Sequence, residues 1–145
     1  MKACCGFGHR TVLASIDDSL YANVIKAAEA DCDIFYTGAM GEFDTRFSSA
    51  VRKAKVMYPQ IKLVCIRPYF TSDLNTNKEY YSAFYDDIII PPDIIGIHYK
   101  AAIKARNHWM VDHSDLIISY VIRNYGGAAQ ALQYAGNQGK QIIKI

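Results

Sequence analysis

Strand-like and helix-like segments alternate along this chain, and that alternation limits its possible folds more than any other feature. "KACC" opens as a short apolar strand. "DDSLYANVIKAAEA" follows with Leu20, Val24, Ala27 and Ala28 at helical spacing, behind an acidic, cap-competent start at Asp17, Asp18 and Ser19. "DIFYTG" reads as a strand. "EFDTRFSSAVRKAKVMY" reads as a helix with Phe43, Phe47, Ala50, Ala54 and Met57 on one face, closed by Pro59. "IKLVCIRP" and "DDIIIPP" are β-branched strands, separated by the aromatic, polar stretch Tyr69–Tyr85 with room for one short helix. "HYKAAIKARNHWMVDH", "SDLIISYV", "GGAAQALQYAGNQG" and "KQIIKI" continue as helix, strand, helix and strand. Six strands and about five helices in this order predict an α/β fold. It is a Rossmann-like, doubly wound and mostly parallel sheet with helices on both faces. Residues 1–145 read as one domain.

Composition narrows the functions. Hydrophobic residues make up 51% of the 145, enough for a core. No apolar run approaches the ~20 residues that cross a bilayer, and the start lacks the apolar stretch of a secretion signal. The chain therefore reads as soluble and cytoplasmic, with no membrane partner. The net charge of +2 shows no broad basic surplus, which argues against nucleic acid as a partner. The four cysteines, Cys4, Cys5, Cys32 and Cys65, lie in or beside strand-like runs without metal-ligand spacing. They read as buried free thiols, with no metal and no required cofactor.

In a doubly wound sheet, ligands bind beyond the carboxyl ends of the strands. Three glycine-bearing connections fall there: "GFGHR", "TGAMGEFD" and "YGGAAQ". Glycine lets backbone N–H groups approach an anion, and a helix start adds free donors. Neither the dinucleotide fingerprint nor a Walker loop is complete, so plain strand-to-helix turns are the competing explanation. Arg106 adds a second signal. On a helical wheel it centres an apolar arc of Tyr99, Ala102, Ile103, Ala105, Trp109 and Met110, with Asn107 at the margin. A buried guanidinium requires a partner. That partner is either internal, with Asp112 and Asp115 nearby in sequence, or a phosphate or carboxylate of a ligand.

These motifs in this order resemble the Smf/DprA–LOG (SLOG) superfamily, in particular its small single-domain members of Firmicutes and their phages. The resemblance spans most of the chain and is weakest across Tyr69–Tyr85. It implies a Rossmann-like fold and a pocket for a nucleotide or nucleotide-derived ligand. Gly8, His9 and Arg10 match the first loop motif. Gly38, Gly41 and Asp44 match the second. Arg106, Asn107, Asp112, Ser114 and Asp115 match the entry to the fifth strand, and Gly126 and Gly127 the phosphate-facing helix start. "GGAAQALQ" departs from the G-G-x-G-T-x-x-E of the cytokinin-activating branch and lacks its glutamate. The expectation is therefore a nucleotide-ligand sensor or regulator rather than an enzyme, with Tyr120 or Tyr125 available to stack on a base. The alternatives are a nucleotide or N-glycoside hydrolase using Asp44 or Asp115, and an interaction module using Tyr69–Tyr85. A homo-oligomer is compatible with each.

Overall fold

A computed structural model describes residues 2–145. The strands are β1 (Lys2–Gly8), β2 (Cys32–Thr37), β3 (Lys62–Ile66), β4 (Asp87–Ile89), β5 (Leu116–Tyr120) and β6 (Gln141–Lys144). The α-helices are α1 (Asp17–Glu29), α2 (Glu42–Lys55), α3 (Asp73–Thr76), α4 (Lys78–Phe84), α5 (Tyr99–Asp112) and α6 (Gly127–Asn137). The strands form one sheet in the order β4-β3-β2-β1-β5-β6, and every pairing is parallel. Successive strands run outward from β1 to β4. The chain then returns to the other side of β1 for β5 and β6. The reversal in order lies between β1 and β5, whose last residues, Gly8 and Tyr120, are register partners.

Period-two alternation divides the sheet into two faces. Cys4, Phe35, Leu63, Leu116 and Ile118 pack with Leu20 and Val24 of α1 and Phe43 and Phe47 of α2. Cys5, Phe7, Val64, Ile66 and Ile117 pack with Met110 and Val111 of α5 and Ala131 and Ala135 of α6. Phe35, Phe43, Phe47 and Leu20 are completely buried, each worth ~1.5–3 kcal/mol in transfer from water. All four cysteines are buried and free.

The glycines of "GFGHR" belong to this packing. Gly6 and Gly8 share the face of β1 that α2 crosses. A Cβ on Gly6 would lie 2.8 Å from the Phe47 ring, and one on Gly8 would lie 2.2 Å from Phe43 Cγ. Phe43 and Phe47, one helical turn apart, stack with centroids 6.0 Å apart in the space the two glycines leave. The steric need for glycine at position 8 is thus a helix lying close on a strand.

Four local expectations change. Met57 lies beyond α2 and is exposed, and Tyr99 at the start of α5 is exposed as well. The stretch Tyr69–Tyr85 holds two short helices, α3 and α4, rather than one. The start of α1 carries Asp17 and Asp18 in its first turn, but no side chain caps it. Among the described residues no helix is long and apolar enough to cross a membrane.

Candidate functional site

A cavity of about 440 Å³ opens at the carboxyl edge of the sheet, over the β1–β5 reversal. Phe7, Gly8, His9, Arg10 and Thr11 line it from the end of β1 and its loop. Met40 and Asp44 line it from the β2–α2 junction, and Ile103, Arg106 and Asn107 from α5. Arg123, Tyr125, Gly126, Gly127 and Ala128 complete it from the β5–α6 connection. The first loop is braced from below: Glu42 N–H donates to Arg10 O at 2.9 Å, and Val12 N–H donates to Glu42 Oε1 at 3.1 Å. That backbone donor and Arg46 hold the Glu42 carboxyl below its ordinary range.

His9 is 5% exposed. Its Nε2 accepts the backbone N–H of Ile122 at 2.9 Å, so the neutral ring carries its proton on Nδ1. Nδ1 lies 3.2 Å from Arg123 Nη2. Two donors therefore face each other at the cavity wall. Burial, and then the Arg123 charge, push the His9 pKa below its ordinary value. The Tyr120 ring meets His9 edge-on, with centroids 6.0 Å apart.

Arg106 is 3% exposed, as its place on the apolar arc implies. Its partners are neither Asp112 nor Asp115. Nη1 donates to the carbonyls of Gly38 at 3.0 Å and Ile66 at 2.9 Å, and Nε donates to Asn107 Oδ1 at 2.8 Å. The guanidinium thus ties α5 to the carboxyl ends of β2 and β3. Nη2 has only the weak acceptor Met40 Sδ, at 3.2 Å. Asp44 sits in the same cavity and accepts the Met40 N–H at 2.8 Å. Burial pushes its pKa up to about 6, partly offset by that bond and by the Arg106 and Arg10 charges.

The structure sorts the remaining expected residues. Gly38 presents its carbonyl to Arg106, and a Cβ there would meet the guanidinium at 2.8 Å. Gly41 starts α2 at φ 111°, with Arg10 Cα 2.8 Å from where its Cβ would be. Both support the cavity walls without lining them. Gly126 precedes α6 at φ 94°, and among the described residues no atom beyond the chain neighbours and the helix's own backbone lies within 4 Å of a Cβ added to it or to Gly127. Those two glycines, unlike Gly8, face open space. Tyr125 is 64% exposed at the cavity rim, with the Arg123 guanidinium 5.1 Å over its ring. Asp115 is not at the cavity. It immediately precedes β5, at the amino edge of the sheet, and its carboxylate accepts the Ala3 N–H at 2.9 Å. A residue before a parallel strand lies a full strand length from one after it, so Asp115 is removed as a catalytic or ligand-binding candidate. Arg123 is the residue that sequence reasoning missed. Its signal was its position, three residues before Gly126 in a connection already marked as ligand-facing.

No family model matches the sequence, and no curated protein matches it. Solved structures do. DNA processing protein A (DprA) from Streptococcus pneumoniae superposes with a TM-score of 0.67 at 14% identity, over 99% of this chain and 50% of that one. DprA from Helicobacter pylori, which binds single-stranded DNA, gives 0.68 at 15% identity over 99% and 64%. The structural-genomics target TM1055 gives 0.64 at 15% identity over 98% and 72%. This chain thus spans half to two thirds of the DprA chains.

Low net charge does not make nucleic acid an improbable partner, because H. pylori DprA, a protein of similar fold, binds single-stranded DNA. Net charge averages over the whole surface. Here Arg10, Arg106 and Arg123 converge on one cavity in which, among the described residues, Asp44 is the single acidic lining residue. At these identities the likeness is one of fold: the chain has the Rossmann-like fold that the Smf/DprA–LOG resemblance implies and that DprA shares.

Proposed function

We propose that this chain binds the phosphate of a nucleotide-type ligand in the cavity over the β1–β5 reversal, as a sensor or regulatory unit. The observation that carries this reading is the pair of opposed donors, His9 Nδ1–H and Arg123, 3.2 Å apart beside the open start of α6. An anionic oxygen between them accepts from both and turns a repulsion into two charge-assisted hydrogen bonds. The Gly126–Gly127 backbone and the α6 dipole add donors on the same side, and Arg10 adds charge. Exposed Tyr125 offers a ring to a base. A phosphate within single-stranded DNA has the same chemistry as one on a free nucleotide, and the H. pylori DprA structure supports including that ligand class.

The test is calorimetric titration of the purified chain with thymidine and with thymidine 5′-monophosphate. The monophosphate binds and the nucleoside does not. Arg123→Ala and Gly127→Asp weaken the monophosphate without lowering the melting temperature. Equal binding of nucleoside and nucleotide would overturn the reading.

A second reading, nucleotide or N-glycoside hydrolysis, rests on Asp44. A cavity carboxylate with a pKa of about 6 is poised for general base work near neutral pH. Release of free base from nucleoside monophosphates, abolished in Asp44→Asn, would establish it. No release above the uncatalysed rate leaves the binding reading.

A further inference from the structure

A second cavity of about 240 Å³ adjoins the first. Ile103, Asn107 and Gly127 line both, and Lys100, Lys104 and His108 line only the second. We propose that this second cavity is an anion subsite for another phosphate of the same ligand. The preferred ligand then carries two phosphates separated by a nucleoside, as in a 5′-phosphorylated dinucleotide or a short single-stranded segment. This rests on the phosphate reading of the first cavity.

The lysines are badly placed for stability and well placed for an anion. Lys100 and Lys104 are one turn apart on α5, where like charges oppose helix formation. Lys100 is in the first turn, where the helix dipole disfavours a cation, and no acidic residue stands in that turn to offset it. Among the described residues neither lysine has an ion-pair partner, and no carboxylate lines the cavity. Asp112, at the far end of α5, is engaged by Tyr134 Oη at 2.7 Å. A bound phosphate supplies the missing counter-charge.

The floor fits the rest of such a ligand. Ile103 and Ala131 give an apolar base, and the His108 ring is held flat on Tyr134 with centroids 3.8 Å apart. Gly127 lines both cavities together with Ile103 and Asn107, and among the described residues nothing outside its own helix backbone and chain neighbours lies within 4 Å of an added Cβ. On the Gly127 side a ligand backbone has room to pass from one cavity to the other.

The experiment compares thymidine 5′-monophosphate, thymidine 5′-diphosphate and 5′-phosphorylated dithymidylate by calorimetry, on wild type and on the double variant Lys100→Ala, Lys104→Ala. Melting temperature serves as the folding control. On wild type the dinucleotide binds tighter than the monophosphate. The double variant loses roughly three- to tenfold for the dinucleotide, in line with two exposed ion pairs, and keeps its affinity for the monophosphate. The salt dependence of dinucleotide binding becomes shallower in the variant, because fewer phosphate charges are neutralised. Two results would overturn the second subsite alone: an unchanged dinucleotide affinity, or a loss equal for the dinucleotide and the monophosphate. A diphosphate that matches the dinucleotide and is equally weakened would overturn the nucleoside spacing and with it the preferred ligand. Failure of every probe to bind wild type would overturn the first cavity's reading and this one with it.

Discussion

Ile122 donates its backbone N–H to His9 Nε2 at 2.9 Å, and that bond points the other ring nitrogen, with its proton, at Arg123. The pair makes an electrostatic prediction. Without an anion, His9 titrates below its ordinary 6.5, because burial and Arg123 both disfavour the imidazolium. Its contribution to stability is therefore complete above that pH and declines as pH falls through it. A dianion between the two groups reverses the Arg123 effect. Nitrogen chemical shifts of His9, followed over pH with and without sulfate, will show the Nδ1–H tautomer and an upward shift of the midpoint in sulfate. A midpoint indifferent to sulfate would remove His9 from the anion site.

Gly8 and Gly127 separate packing from ligand approach. A methyl at position 8 enters the Phe43 ring, so Gly8→Ala costs about 1–3 kcal/mol by overpacking. Gly127→Ala meets nothing and leaves the melting temperature within a degree or two, since α6 gains a better helix former. Thermal unfolding of both variants without ligand decides it. A stable Gly8→Ala protein would contradict the close approach of α2 to β1.

Arg106 is a structural tie before it is anything else. Arg106→Ala leaves the Gly38 and Ile66 carbonyls without their donor and loosens α5 from the sheet edge. Loss of buried charge-assisted bonds puts the cost at about 2–4 kcal/mol. Arg106→Lys will recover only part of it, because one ammonium cannot reproduce the planar fork. Denaturant unfolding of the unliganded variants measures both. A level stability in Arg106→Ala would instead mark the arginine as held for a ligand.

Much of the fold was legible because parallel strands covered on both faces are apolar throughout and stand apart from the amphipathic helices between them. "IKLVCI" and "LIISY" carried that signal plainly, as did Leu20 with Val24 and Phe43 with Phe47. The burial of Arg106 was legible from its wheel position. Its partners were not, since backbone carbonyls of distant strand ends leave no mark in sequence. Gly8 was legible as a glycine that some neighbour requires. Whether that neighbour is an anion or Phe43 depends on which face α2 crosses, which only tertiary packing decides. Asp115 resembled a site residue through its motif, yet its position before the strand sends it to the wrong edge. Arg123 lies in an irregular connection with no periodicity to show which way its side chain turns, so its place in the cavity wall follows from the fold alone.

Asp44 supplies a prediction in which pH sets the sign. Its ordinary pKa is 3.8, and in the folded chain burial raises it to about 6. Between those values the unfolded chain gives up the proton that the folded chain keeps. Stability therefore falls as pH rises through that window, and the penalty is complete above about pH 6. Two pKa units set an upper bound of ~3 kcal/mol, and partial solvent access at the cavity reduces it to about 1–2. Asp44→Asn keeps an oxygen for the Met40 N–H and removes the charge. The variant should thus gain on wild type by about 1–2 kcal/mol between pH 4.5 and pH 7.5, read from denaturant unfolding at both. Phosphate affinity should rise with it at pH 7.5, because an ionised Asp44 repels an incoming anion. A stability difference that is flat across this range would mean that Asp44 is ionised throughout, paired by Arg106 and Arg10. The general-base reading would then lose its basis, while the binding reading would stand on His9 and Arg123.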